Sequence, residues 1–312
     1  MINFTGVVPI LATPFLEAET VDLESWTRLL EFNVGLGVDG VTILGVLGES
    51  NRLTDREREA LITHAVQTVK ARVPVVVGTS HSGTEAARYL ARMAQELGAD
   101  AVMVAPGKEP IPNDDRIVEA YQRIADGLAI PIVLQDHPAS TEVHMSVRLI
   151  VRLLRDVPAI QCVKAEAVPT APKIRQLRAE LGDRPLPILT GLGALYAPFD
   201  LEAGSDGFNT GFAFPEVLMA MVAAARAKDW PGVYELYARF AALIVFEQQP
   251  GVAVRKEILR RRGLFTSARA RHPGATITPS AAAHLESLLG RTLPGVDLTG
   301  PITVEQHEGL PR

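Results

Sequence analysis

The stretch "AIQCVKAEAVP", Ala159 to Pro169, begins as a buried strand and ends in two charges. Ile160, Cys162 and Val163 suit a segment covered on both faces, yet Lys164 and Glu166 follow with no turn residue between them. Side chains two apart on a strand share a face, so this ammonium and this carboxylate project into one space if the strand persists that far. A parallel sheet covered by helices produces such doubly apolar strands, and in a closed barrel of that kind the reactive groups stand at the carboxyl ends.

Seven further runs of the same character lie along the chain: VVPIL (7–11), GVTIL (40–44), VPVVVG (73–78), AVMVA (101–105), IPIVL (130–134), LPILTG (186–191) and DGFNTG (206–211). Between them, stretches such as LESWTRLLEFNVGLG and TEAARYLARMAQELG return an apolar residue every three or four positions opposite a charged face. Thr54 with Asp55, and Gly83 with Glu85, read as helix starts; Gly37 and Gly98 read as stops. Eight strand-helix units predict a (β/α)8 TIM barrel, with a doubly wound open sheet as the alternative.

Strand signals cease after residue 225. The expectation is a catalytic barrel over 1–225 and a C-terminal extension of helices and tail over 226–312, packed on the barrel. Within the extension, RKEILRRRG (255–263) looks like a nucleic-acid patch, but Glu257 interrupts it and the chain carries a net charge of -5, so a solvated or inter-subunit helix face is expected instead. The same acidity gives no field for nucleic acid or an anionic membrane, which leaves a small-molecule partner. No run approaches the apolar length that spans a bilayer, and MINFTGVVPILATPF carries no basic leader. The single cysteine, Cys162, forms no internal disulfide and offers no Cys-cluster metal site. A soluble, cytoplasmic protein is expected.

Of six lysines, Lys70, Lys108, Lys173, Lys228 and Lys256 are placed in loops or on polar helix faces, and Lys164 alone falls on an apolar strand. Burial disfavours the ammonium, and a neutral amine can attack a ketone and use the resulting imine as an electron sink. A structural ion pair with Glu166 explains the same two residues, and position alone does not choose between them. The second strand ends in GVLGESNRL (45–53), a Gly-x-x-Gly-Glu-Ser turn whose backbone amides can approach an anion and to which Ser50 adds a hydroxyl.

The GxxGES turn together with the sixth-strand lysine resembles the dihydrodipicolinate synthase and N-acetylneuraminate lyase family of class I aldolases and dehydratases. The likeness extends to GVVPILATPF with Val21 and Asp22, to LTDRERE, to VPVVVGTS, to VAP in the fourth strand and to Val163-Lys164, collinear over about residues 5 to 225. It implies a barrel with C-terminal helices, assembled as a homo-oligomer, commonly a tetramer of two dimers. It further implies that Lys164 forms a Schiff base with C2 of a 2-keto acid, that the amides of Val46, Leu47 and Gly48 hold the substrate carboxylate, and that no cofactor or metal is needed.

Departures from the family pattern narrow the activity. Where the synthases and lyases carry Tyr-Asn-x-Pro, this chain has Gln135-Asp136-His137-Pro138, so the proton-shuttling tyrosine is replaced by an amide. Val46 and Leu47 stand where the synthases have threonines, Ser140 where they have an arginine, and Pro106-Gly107-Lys108 lacks the tyrosine that follows the fourth strand. These losses argue against lysine biosynthesis. A Lys-x-Glu strand end with Gln-Asp-x-Pro is similar to the 2-keto-3-deoxy-pentonate dehydratases of the family, which implies Glu166 as the acid and base. Gln135, Asn209 and Thr210 are candidates for substrate hydroxyls, and Gly191 and Gly193 resemble the family's glycine-bearing loop. His81 and His137 are read as surface histidines, and Asp136 as a turn cap. Three other readings stay open: a retro-aldolase releasing pyruvate, a metal-dependent lyase using Glu49, Asp136 and Glu166, and a non-catalytic 2-keto-acid sensor.

Overall fold

The computed structural model describes residues 2, 4–111, 113–249 and 251–304. Eight strands run parallel and in sequential order: β1 (Gly6–Val7), β2 (Val41–Ile43), β3 (Val75–Gly78), β4 (Ala101–Val104), β5 (Ile132–Asp136), β6 (Ile160–Ala165), β7 (Ile188–Thr190) and β8 (Gly207–Phe208). β1 pairs with β8, and beyond it Ile10 bridges Thr42 of β2, with Leu11 and Thr42 donating their amides to Thr42 and Pro9 carbonyls at 2.8 Å. The ring is therefore closed, and the chain is a (β/α)8 barrel rather than an open sheet. Strand 1 is shorter than the run 7–11 because Pro9 has no N–H to give to the ladder.

Helices alternate with the strands: α1 (Leu23–Leu36), α2 (Asp55–Val69), α3 (Thr84–Glu96), α4 (Asp114–Ala125), the short α5 (Pro138–Thr141), α6 (Val147–Asp156), α7 (Thr170–Leu181), α8 (Ala197–Glu202) and α9 (Pro215–Arg226). The starts and stops follow from local chemistry. Thr54 caps α2 in a capping box with Glu57, Gly83 precedes α3, and Gly37 ends α1 in the left-handed conformation. After the barrel come α10 (Trp230–Glu247), α11 (Ala253–Arg261) and α12 (Pro279–Thr292). Among the described residues no helix is long and apolar enough to cross a membrane.

Two buried layers result. The larger lies between the strands and the surrounding helices. The smaller fills the barrel itself with Val8, Ile10, Val76, Ala101, Met103, Val133, Cys162 and Leu189. A one-residue irregularity between Ile132 and Val133 pairs Val133 with Cys162 and leaves Gln161 exposed. That register sets which way the ends of β5 and β6 point. Cys162 faces inward, so Lys164 two residues on faces inward above it, and Gln135 stands beside Lys164 as its registered neighbour.

The extension corrects one expectation. The basic run 255–263 is a solvated face only in part: Arg260 stays exposed, but Arg255, Lys256, Glu257 and Arg262 are all buried. Arg255 pairs with Glu247, Lys256 with Glu49, and Arg262 with Glu216 at 2.6 Å. Each cation meets a carboxylate from another element, which compensates the desolvation that would otherwise keep it at the surface. Lys256 thus leaves the polar helix face assigned to it and becomes the second fully buried lysine of the chain.

Candidate active site

Lys164 leaves the end of β6 with 2 % of its surface exposed, and Glu166 follows with 5 %. The strand ends at Ala165, but Glu166 continues the ladder by donating its amide to the Asp136 carbonyl at 3.0 Å, which keeps both side chains on the inner face. Lys164 Nζ stands 3.1 Å from Glu166 Oε2. The same oxygen accepts from Gln135 Nε2 at 2.8 Å, and Glu166 Oε1 accepts from the Leu192 amide at 3.1 Å. The carboxylate is therefore held from three strand ends, β5, β6 and β7.

Burial lowers the Lys164 ammonium from the ordinary lysine range, and Glu166 opposes that shift only in part. Burial also pushes the Glu166 carboxyl upward, but the Lys164 charge, His137, the Gln135 amide and the Leu192 N–H together hold it below the ordinary glutamate range. The site thus combines an amine brought closer to neutrality with a carboxylate kept ionised beside it. Those are the states required of a nucleophile and a base. His137, passed over as a surface residue, is half-buried after β5 in the field of Lys164 and Glu166; burial lowers its imidazole, and Nδ1 lies 2.7 Å from Ser140 Oγ. Nothing in the sequence beyond its place after a strand marked it.

Gly191 has a steric role. A Cβ built on it would lie 2.0 Å from Glu166 Oε1. Because the clash, which extends to Cδ and Cγ at 2.4 and 2.5 Å, is with a side chain rather than with backbone, Gly191→Ala is expected to displace Glu166 and leave the backbone fold intact. The expected loss in kcat is about 10² or more, the scale of general acid-base catalysis, with little change in Tm, as steady-state kinetics and thermal unfolding would read. Leu192, which supplies the amide to Glu166, sits at φ 51, and Gly193 and Ala194 follow at φ 62 and 67. The two that are not glycine, Leu192 and Ala194, are in a sparsely populated region and mark a loop whose geometry is fixed by its contacts.

The Gly45–Gly48 turn lies at the end of β2. Val46–Gly48 forms one 3-10 turn in which the Gly48 amide donates to the Gly45 carbonyl at 3.0 Å and the Glu49 amide to Val46 at 3.1 Å. Of the three amides expected to face an anion, Gly48's is thus engaged within the turn. Those of Val46 and Leu47, at its start, have no acceptor among the described residues. Thr13 Oγ1 fastens the turn by donating to the Gly48 carbonyl at 2.6 Å. Ser50 falls in the following turn, half-buried, with its carbonyl accepting from Arg58.

Asn209 and Thr210 are buried at the end of β8, but both side chains have partners inside the barrel. Asn209 Nδ2 donates to the Val8 carbonyl at 2.9 Å and to Thr42 Oγ1 at 2.8 Å, leaving Oδ1 unpartnered. Thr210 Oγ1 accepts from the Gly193 amide at 2.7 Å. Their first role is to close the barrel between β8, β1 and β7, and sequence reading could not see those cross-strand partners. Gln135 is similarly engaged through its amide with Glu166.

The three carboxylates considered as metal ligands are not convergent. Glu49 faces Lys256, Asp136 faces Lys173 at 2.6 Å and Glu166 faces Lys164. Among the described residues no group of three or more His, Cys, Asp or Glu side chains is placed to hold a metal ion.

The site of this closed parallel barrel thus consists of a buried lysine-glutamate pair at the end of β6 and, across the barrel, an amide-lined turn at the end of β2. The chain matches the dihydrodipicolinate synthetase family over residues 3–292 and belongs to that family. It is 33 % identical to the L-2-keto-3-deoxyarabonate dehydratase of Azospirillum brasilense over 293 residues, which cover 93 % of this chain and 94 % of that one. It is 30 % identical to the 4-hydroxy-tetrahydrodipicolinate synthase of Chlorobium chlorochromatii over 244 residues, 77 % of this chain and 81 % of that one. The crystal structure of dihydrodipicolinate synthase from Rhodopseudomonas palustris superposes with a TM-score of 0.88 at 36 % identity, covering 92 % of this chain and 97 % of that one. At the level of the family, the chain is a lyase with a small-molecule substrate.

Proposed function

We propose that the protein is a hydro-lyase that dehydrates a 2-keto-3-deoxy sugar acid through a Schiff base on Lys164, with 2-keto-3-deoxy-L-arabonate as the representative substrate and 2,5-dioxopentanoate as product. The observation that carries this reading is the Glu166 carboxylate, held ionised between the Lys164 amine and the Gln135 amide where the synthases use a tyrosine. The named relative from Azospirillum brasilense adds the substrate class.

Lys164 Nζ adds to C2 and water leaves, giving an iminium that withdraws electrons from C3. Glu166 takes a proton from C3 to form the enamine; the electron pair returns to expel the C4 hydroxyl, which leaves as water with a proton from Glu166. Loss of one proton from C5 and one from its hydroxyl, with protonation at C4 and C3, converts the conjugated iminium into the saturated C5 aldehyde, and hydrolysis releases the 2-keto acid and the amine. The Val46 and Leu47 amides receive the C1 carboxylate at the β2 turn. Gln135, the unpartnered Asn209 oxygen and the Thr210 hydroxyl are the groups offered to the substrate hydroxyls, with Ser50 at the outer end of the turn.

We further propose that residues 1–225 form the catalytic unit, that the helices of 226–312 serve it from outside, and that the chain works as a homo-oligomer. Incubation with 2-keto-3-deoxy-L-arabonate and chromatography of the products tests the central reaction. 2,5-Dioxopentanoate is the expected product. Pyruvate with glycolaldehyde would instead make the protein a retro-aldolase, and binding without turnover would make it a sensor.

A further inference from the structure

Glu49 closes the amide-bearing turn, and its carboxylate is engaged by groups from outside the barrel. It adopts a left-handed conformation, φ 54, that a residue with a side chain holds only when its surroundings fix it. Glu49 Oε2 receives Arg52 Nη1 at 2.5 Å and the backbone amide of Arg271 at 3.0 Å. Glu49 Oε1 faces Lys256 Nζ. Lys256 lies on α11, is 0 % exposed, donates to the Arg269 carbonyl at 2.8 Å and stands 4.3 Å from the centre of the Phe15 ring. Arg271 covers the same ring at 4.4 Å and grips Glu57 of the α2 capping box at 2.7 and 2.8 Å. Burial lowers the Lys256 amine to about 8, so near neutrality it is still mainly charged, with Glu49 opposite it.

We propose that Lys256, through Glu49, is a positioning residue for the substrate carboxylate: the C-terminal helices hold the Val46-Leu47 turn in the geometry that presents its two open amides. The inference rests on the Schiff-base reading above. An uncharged side chain at 256 leaves Glu49 with only the Arg52 guanidinium and the Arg271 amide, and the left-handed residue that ends the turn loses its strongest restraint. The turn then relaxes at its amides, whereas Lys164, on the opposite side of the barrel, keeps its partners. Affinity for the carboxylate should fall while the intrinsic ability to form an imine persists.

The test is borohydride trapping on Lys164 at graded concentrations of pyruvate and, in parallel, of hydroxyacetone, a ketone with no carboxylate, using the full-length wild-type chain and Lys256→Met. The half-saturating pyruvate concentration is expected to rise about tenfold or more in the variant, the scale of one lost charged hydrogen bond, with that for hydroxyacetone unchanged. Glu49→Gln, nearly isosteric, should behave alike and carries the test if Lys256→Met does not fold. Lys256→Arg should recover most of the pyruvate affinity. Equal shifts for both ketones, or no shift for either, would reduce the pair to a structural one and overturn the inference alone. Absence of any wild-type adduct would overturn the Schiff-base reading and the inference with it.

Discussion

Replacing Lys164 with methionine should lower kcat by roughly 10⁶-fold, the scale of loss when a covalent nucleophile is removed. No neighbour can substitute. Lys173 is turned to Asp136 at 2.6 Å and to the Met145 carbonyl, and Lys256 is enclosed behind the β2 turn with Glu49. Removing the ammonium also leaves Glu166 buried with no cation, which should lower stability by about 3 kcal/mol. A second substitution separates the two effects: Lys164→Met with Glu166→Gln removes the orphaned charge, so Tm should recover while turnover does not. Recovery of turnover with stability would show that the pair is structural.

Glu166→Gln should lower kcat by about 10² to 10⁴, the range for a positioned acid and base, while leaving imine formation on Lys164 measurable. The pH dependence carries its own sign. Burial pushes the Lys164 amine down and Glu166 pushes it back up. With glutamine the upward push is lost, so the neutral amine appears at lower pH and the acid limb of imine formation moves to lower pH even as the turnover plateau falls. An acid limb that moves upward, or stays in place, would contradict the assignment of the field at Lys164 to Glu166. Because the two groups titrate as a pair, the limb of the wild-type enzyme belongs to both.

The barrel was legible because its strands are apolar on both faces, and because Thr54, Gly83 and Gly37 announce helix ends by chemistry that acts within four residues. Lys164 was legible for a related reason: on an apolar strand a charge is conspicuous. Lys256 was not, since α11 reads as a run of basic residues and their partners Glu49, Glu216 and Glu247 belong to other elements. The bond from Gln135 to Glu166 depends on the β5–β6 register, itself set by the irregularity at Ile132 and Val133. Asn209 likewise looked free until β8 was placed beside β1 and its amide met the Val8 carbonyl. In each case the missing information was a neighbour on another element, which no local pattern records.

The covalent role of Lys164 is tested most directly by mass spectrometry of the protein reduced with borohydride in the presence and absence of 2-keto-3-deoxy-L-arabonate. The expected result is one reduced keto-acid adduct, dependent on both reagents and located on the peptide that contains Lys164. Turnover with no adduct, or an adduct confined to another lysine, would contradict it.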